Sequence, residues 1–404
     1  MKSCLFALAG TLLLAAGLTA PAAAGNRPIG LYEFDGASGY DPDGGVIADR
    51  SGTVYGTTDI GGSGPCDGGA GCGTVYALSP PKGGGKMWSL AVLYDFQGGQ
   101  DGYFPTSQLT LGPHGSLFGT TAAGNNGNVF QLLPPSGGNG PWTFQIPYTF
   151  TGKKDGSLGN AASPLILHGG KLYGAAYGGS KVCGQAGCGS VFELSPPAGG
   201  SGSWTEKTLY EFPGGAGSGE PTSIVGPDDG KSFYVSTMLD DGAVVQISPP
   251  NGHGKWTAAV LTTFNGGDDG SAPTSLVLMP GDALYGIASA SKAGFAFELT
   301  EANGEWTRTK IADIAHRSYG PTSLAAGPDG SLVGAIFGDV DFFPGAVFQL
   351  TPPQNGGDWT YAELCNFDHG PDRNPVNVVT GKGGRLFGVL NGGDSGNGAL
   401  FEVR

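Results

Sequence analysis

Six tryptophans fall at nearly equal steps along the chain. Trp88, Trp142, Trp204, Trp256, Trp306 and Trp359 are separated by 54, 62, 52, 50 and 53 residues, and the protein has no others. Each opens an alternating, aromatic-rich run such as "WSLAVLYDF" or "WTYAELCNF", which reads as a β-strand. A Pro/Gly turn precedes each ("SPPKGGGKM", "TPPQNGGD"), and a further strand precedes the turn ("GTVYALS", "GAVFQLT"). That arrangement is a hairpin.

The other half of each period is a second hairpin, as in "PTSQLTLGPHGSLFGTT" and "PTSLAAGPDGSLVGAIF". Each unit therefore has four short strands, termed A to D from "PTS" onward. No stretch carries apolar residues at helical spacing. Four strands in about 50 residues is the pattern of a propeller blade. Gly and Pro, 78 and 29 of 404 residues, would suggest disorder if they were aperiodic, but here they recur with the repeat.

Strand A is expected to begin near Val46, Thr106, Pro164, Thr222, Thr274, Thr322 and Val376, which makes seven units. The last unit has A, B and C, ending in "GALFEVR", and lacks D. The segment "IGLYEF" (29–34) matches the end of a D strand and precedes the first A strand. Pairing the two closes a ring of seven blades and removes two exposed edges. A linear solenoid would leave both ends open and would need caps.

The start "MKSCLFALAGTLLLAAGLTAPAAAG" has one Lys, an apolar run and Ala22-Ala23-Ala24, and reads as a signal peptide spanning 1–24. The run is too short for a membrane span. Residues 25–404 are then expected to form a single domain, secreted or periplasmic, without membrane insertion and monomeric. Once Lys2 is lost, 19 basic residues face 34 acidic ones. That balance disfavours nucleic acid and anionic membranes. It suits cations, neutral glycans or basic proteins.

The phrases "LYEF" (31–34), "TVYGTTDIGG" (53–62), "GCGTVYALSPP" (71–81), "LYDFQGGQDG" (93–102), "SLFGTT" (116–121) and "GCGSVFELSPP" (187–197) resemble the GloVer tandem-repeat family of exported bacterial proteins with varied anchors. The resemblance covers essentially the whole chain after the signal segment and supplies no catalytic residues. "FYVSTM" (233–238) and "LVGAIF" (332–337) depart from the "LYGTT" form. No sorting tail follows the last strand, which favours a free protein over an anchored one.

In an antiparallel blade the B–C and D–A loops share one rim, and loops on a rigid scaffold are where binding concentrates. The rim carries acids, among them Asp41, Asp43, Asp101, Asp155, Glu220, Asp269 and Asp372. Gathered at a channel mouth they could hold calcium or a cationic ligand. The alternative is that Asp-Gly pairs simply make good turns. Loop aromatics such as Tyr103, Tyr177 and Tyr319 are candidates for stacking on a sugar; the tryptophans, fixed at one strand position, read as packing between blades.

Cys66 and Cys72 share one B–C loop, and Cys183 and Cys188 share another. In an exported chain these read as two local disulfides, with zinc as the alternative. Cys365 is left as a buried thiol. No nucleophile elbow, zinc helix or phosphate loop appears. The expectation is a binding module for a glycan, cation or protein, without a catalytic site or a cofactor beyond possible calcium. The competing reading is a metal-assisted hydrolase or lyase that uses His316 or His369 at the channel mouth.

Overall fold

A computed structural model describes residues 28–404 apart from 84, 86, 125, 139, 159–163, 179–182, 184–186, 200–201, 216–218, 227–230, 292–293, 315–319, 339–344, 355, 368–373 and 393–395. The signal segment lies outside the described residues. Strand β1 is Ile29–Glu33, and blade 1 follows as β2 (Val46–Ala48), β3 (Val54–Thr58), β4 (Thr74–Ser79) and β5 (Ser89–Asp95). Blade 2 is β6 (Thr110–Leu111), β7 (Leu117–Thr121), β8 (Asn128–Leu133) and β9 (Thr143–Thr149). Blade 3 is β10 (Ile166–His168), β11 (Lys171–Ala176), β12 (Ser190–Ser195) and β13 (Thr205–Glu211). Blade 4 is β14 (Pro221–Val225), β15 (Phe233–Thr237), β16 (Ala243–Ser248) and β17 (Thr257–Thr263). Blade 5 is β18 (Ser271–Leu278), β19 (Leu284–Ser289), β20 (Gly294–Ala302) and β21 (Glu305–Ile314). Blade 6 is β22 (Pro321–Ala326), β23 (Leu332–Ile336), β24 (Ala346–Thr351) and β25 (Thr360–Asn366). Blade 7 contains β26 (Pro375–Thr380), β27 (Leu386–Leu390) and β28 (Ala399–Val403).

Seven four-stranded antiparallel sheets result, and the seventh has the order β1-β28-β27-β26. The protein is thus a seven-bladed β-propeller closed by its N-terminal strand. Gly30 pairs with Phe401 and Glu33 with Ala399, with a bulge between Gly30 and Tyr32. A second closure lies at the axis: Val46 N–H donates to Asn377 Oδ1 at 3.0 Å, and Asn377 Nδ2 donates back to Val46 O at 3.1 Å. The Asn side chain acts there as a peptide group bridging blades 7 and 1.

The blade joints explain the repeated letters. At several joints the phenylalanine that ends a D-strand phrase packs on an aromatic of the next blade's C strand. Phe96 meets Phe130 at 5.4 Å between centroids, Phe150 meets Phe192 at 5.1 Å, and Phe34 meets Tyr76 at 5.1 Å across the closure. Edge-to-face pairs of this kind add about 1 kcal/mol each beyond the area they bury. That aromatic also lies over the glycine of "LYGTT": a Cβ on Gly56, Gly119 or Gly174 would collide with Tyr76, Phe130 or Phe192. Blade 4 departs in a matched way, because Val245 replaces the aromatic and its cross-strand partner is Val235 rather than glycine. Trp142 packs on Tyr55 and Trp204 on Phe118, each reaching into the preceding blade.

The inner strands of blades 2 and 3 start later than expected, at Thr110 and Ile166 rather than Thr106 and Pro164. In blade 2 a side chain takes over from the ladder: Thr120 N–H donates to Ser107 Oγ at 3.0 Å. In blade 3, residues 159–163 lie outside the described residues.

Candidate functional site

The rim assignment follows from pairing across loops: Tyr40 bridges Ile60, Tyr103 bridges Ala123 and Ser157 bridges Tyr177, each joining a D–A loop to the neighbouring B–C loop. The two disulfides, Cys66–Cys72 and Cys183–Cys188, form in B–C loops of this rim, with Cα separations of 4.9 and 5.2 Å. Cys365 is free and buried, and burial pushes its thiol up to about 12.

Most of the rim acids with visible partners serve their own turns. Asp155 accepts from Tyr148 Oη at 3.0 Å, from Thr151 N–H at 2.8 Å and Thr151 Oγ1 at 2.6 Å, and from Lys153 N–H at 3.1 Å. Burial pushes this carboxyl up, but the donors outweigh it and hold it below the usual aspartate range. The residue is covered by its own loop rather than sunk in the core. Asp101 accepts from Tyr94 Oη at 3.0 Å and Gln97 N–H at 2.8 Å. Asp269 accepts from Asn265 N–H and Nδ2 and pairs with Arg308, whose guanidinium lies 4.2 Å from the Phe264 ring centre.

Asp41 and Asp43 differ. They belong to "DPDG", the blade 1 counterpart of "FPTS" in blade 2. The proline carries the correspondence: Pro42 packs on Gly398 of blade 7 as Pro105 packs on Gly73 of blade 1. Asp41 backbone has φ 58°, in the left-handed region that Phe104 (56°) and Glu220 (55°) also occupy. Its N–H donates to Asn397 O at 3.1 Å, which ties the loop to blade 7.

A third acid, Asp59, joins them. It follows β3, and its N–H donates to Asp41 O at 2.9 Å. Asp59 Oδ1 is buried and has no hydrogen-bond partner among the described residues. Burial, then Asp43, then Asp41, push the Asp59 carboxyl up to about 8. Burial and Asp41 push Asp43 up to about 6, against a 2.7 Å hydrogen bond from Asn391 Nδ2. Asp43 remains open to solvent, so crowding acts on it less firmly than on the half-buried Asp59. Asp41 is also raised, mainly by burial. No described Lys, Arg or His forms an ion pair with any of the three.

Asp43 and Gly44 also line the central channel, a cavity of about 320 Å³ to which all seven inner segments contribute, including Thr106, Gln108, Thr322 and Asn377. Elsewhere on the rim, Tyr177 Oη donates to Met238 Sδ at 3.2 Å, and burial and Glu220 raise its phenol. Tyr103 packs edge-on against Phe104 at 4.8 Å. Asp372, Tyr319, His316 and His369 lie outside the described residues.

The structure therefore brings Asp41, Asp43 and the unforeseen Asp59 together, and brings Tyr177 to Glu220. Asp101, Asp155 and Asp269 stay in their separate loops. Asp59 escaped notice because it continues a phrase that reads as pure repeat, "TVYGTTDIGG". Aligning blades on the strand glycine would have exposed it: blade 2 has Ala122 and blade 4 has Met238 at the position whose N–H meets the D–A loop. Among the described residues no three His, Cys, Asp or Glu are grouped to hold a metal ion, and no helix is long and apolar enough to cross a membrane.

Fold and rim together define a seven-bladed propeller with a loop-bearing rim at which Asp43 reaches the channel. The sequence profile of the Gloeobacter/Verrucomicrobia repeat matches residues 174–401, and the chain belongs to that family. No curated protein matches it in sequence. Among solved structures, it is similar to the extracellular domain of a protein from B. thetaiotaomicron described as a hybrid two-component system. That match has 10% identity and a TM-score of 0.55, covering 94% of this chain and 39% of that one. A puromycin hydrolase variant aligns with 11% identity and a TM-score of 0.53, covering 90% of this chain and 53% of that one. A Bacteroides fragilis protein described as a 6-phosphogluconolactonase aligns with 16% identity and a TM-score of 0.49, covering 79% and 85%. At these identities the likeness concerns the propeller fold alone.

Proposed function

We propose that the protein is an exported binding module that captures a ligand carrying positive charge at the channel mouth of blade 1. The observation that carries this reading is the contrast within one rim. Asp101, Asp155 and Asp269 are satisfied by donors of their own turns. Asp41, Asp43 and Asp59 crowd together with raised proton affinity and without a described cation. Crowded carboxylates of this kind gain most when a positive group replaces the retained proton. The site is carried by a rigid ring, so little ordering accompanies binding.

Two disulfides and the apolar, Ala-ending leader support export to an oxidising compartment. The ligand is a cation, or a glycan or protein that presents a cationic group to this rim.

The test is calorimetry of the purified protein against calcium with and without chelator, followed by a glycan array, repeated with Asp43→Asn. Heat or retention that is lost in Asp43→Asn supports the reading. Binding that survives unchanged in Asp43→Asn places the site elsewhere and overturns it.

A further inference from the structure

We propose that the groove between blades 4 and 5 is a second binding site, which receives the guanidinium of an arginine side chain on a partner polypeptide. The groove opens on the rim of A–B and C–D turns, opposite the blade 1 mouth, and does not depend on that mouth. It is a cavity of about 580 Å³, lined by Tyr234 and Gln246 of blade 4 and by Asp282, Glu301 and Trp306 of blade 5.

The joint between blades 7 and 1 has the same frame and shows what fits it. Phe387 pairs across strands with Glu402, as Tyr234 pairs with Gln246. Trp88 meets Phe387 edge-to-face at 5.6 Å between centroids, and Trp306 meets Tyr234 in the same way at 5.7 Å. At the 7/1 joint the chain fills the place itself. The Arg385 guanidinium lies 5.8 Å from the Trp88 ring centre and 5.0 Å from that of Phe387, and donates to Glu402 Oε1 at 3.4 Å. The counterpart of Arg385 in blade 4 is Ser232, whose Oγ lies 3.2 Å from Ser248 Oγ. The 4/5 joint thus keeps the aromatic frame and lacks the cation.

Two departures of blade 5 from the repeat bring the countercharge. A Cβ on Gly52 of blade 1 would lie 3.7 Å from Arg385 Nη2. Asp282 holds the Gly52 position in blade 5, so its carboxylate starts beside the place a guanidinium takes. Blades 1, 2, 3, 6 and 7 have glycine there, at φ between 74° and 93°; Asp282 keeps φ 63°, a region that side-chain-bearing residues enter at a cost. Glu301 stands where blades 1, 2, 3, 4 and 6 have the first proline of "PP", and its Oε1 accepts from Gly304 N–H. Among the described residues neither acid has an ion pair, and the Gln246 amide has no partner, whereas Gln349 of blade 6 donates to Ser331 Oγ at 2.9 Å. A guanidinium is the group that both lies against an aromatic ring and presents forked N–H donors to a carboxylate and an amide oxygen. An ammonium is a hydrated point charge without the fork, and a neutral sugar leaves both acids uncompensated.

The experiment follows the Trp306 indole N–H by NMR in the whole protein, assigned with Trp306→Phe. The probes are Nα-acetyl-argininamide, Nα-acetyl-citrullinamide, Nα-acetyl-lysinamide and methyl glucoside. The arginine derivative should shift this resonance saturably, and its neutral citrulline analogue should bind at least about tenfold more weakly. Asp282→Gly should weaken the arginine derivative by about tenfold, the size of a lost charge-assisted hydrogen bond, and should melt no lower than the parent, since glycine suits that turn. Ser232→Arg should place the chain's own guanidinium in the groove, shift Trp306 by itself and abolish binding. Asp43→Asn should leave arginine binding unchanged, so the two sites fail independently. An unmoved Trp306, citrulline or glucoside binding as tight as arginine, or arginine binding that survives Asp282→Gly and Ser232→Arg overturns the assignment. Arginine binding lost in Asp43→Asn also overturns it and assigns the cation to the blade 1 mouth.

Discussion

Asp155 and Asp59 sit on the same rim, in loops of the same fold, and have opposite fates. Asp155 gathers four donor contacts from its own loop and strand and is held ionised. Asp59 receives no hydrogen bond on Oδ1, faces two further acids and keeps its proton. The difference lies in what the local backbone can offer. The "TGKKDG" turn points its N–H groups inward at the carboxylate, whereas the Asp59 N–H is already committed to Asp41 O. An Asp in a repeat loop is therefore structural when its own turn supplies the donors, and available for a ligand when the chain spends them elsewhere.

Substitutions should separate the two residues. Asp155→Ala should lower stability by about 3 kcal/mol in urea denaturation, because four donor contacts lose one buried, charged acceptor. Asp59→Asn should not destabilise; a loss as large as that of Asp155→Ala would erase the distinction.

The pH dependence sharpens the comparison. Asp59 has its folded proton affinity raised to about 8 from 3.8. Between those values the unfolded chain has lost the proton and the folded one keeps it, so stability falls as pH rises. Asp59→Asn should remove that slope and gain about 2 kcal/mol over the parent between pH 4 and pH 8, after allowance for partial solvent access. Asp155 acts with the opposite sign: its folded affinity is lowered, and its contribution is lost as pH falls through the acid range. Parallel pH profiles for parent and Asp59→Asn would contradict the account. The smallest effect belongs to Asp101→Asn, about 1 kcal/mol, since this loop is more exposed and supplies two donors.

The fold was legible because its code is periodic. The tryptophan steps, the "LY.F" endings and the missing D strand specify seven blades and the closing segment 29–34, and the disulfide pairs follow from loop position. Even the "FYVSTM" departure has a physical reading once its partner is known, since Val235 faces Val245 where other blades set glycine against an aromatic. The site was less legible. Asp41 and Asp101 look alike in one dimension, because Asp beside Gly or Pro suits a turn whether or not its carboxylate is satisfied. Asp59 reads as a repeat letter. Its meaning depends on Asp43 and Asp41 beside it. That is a relation between strands, which a single repeat phrase does not display.

The account is tested most directly by a carboxyl-carbon NMR titration of Asp59 and Asp155 in the same sample. It predicts that Asp59 titrates near pH 8, and that Asp155 titrates below the ordinary aspartate range. Both residues titrating together, close to the value of a free aspartate, would contradict it.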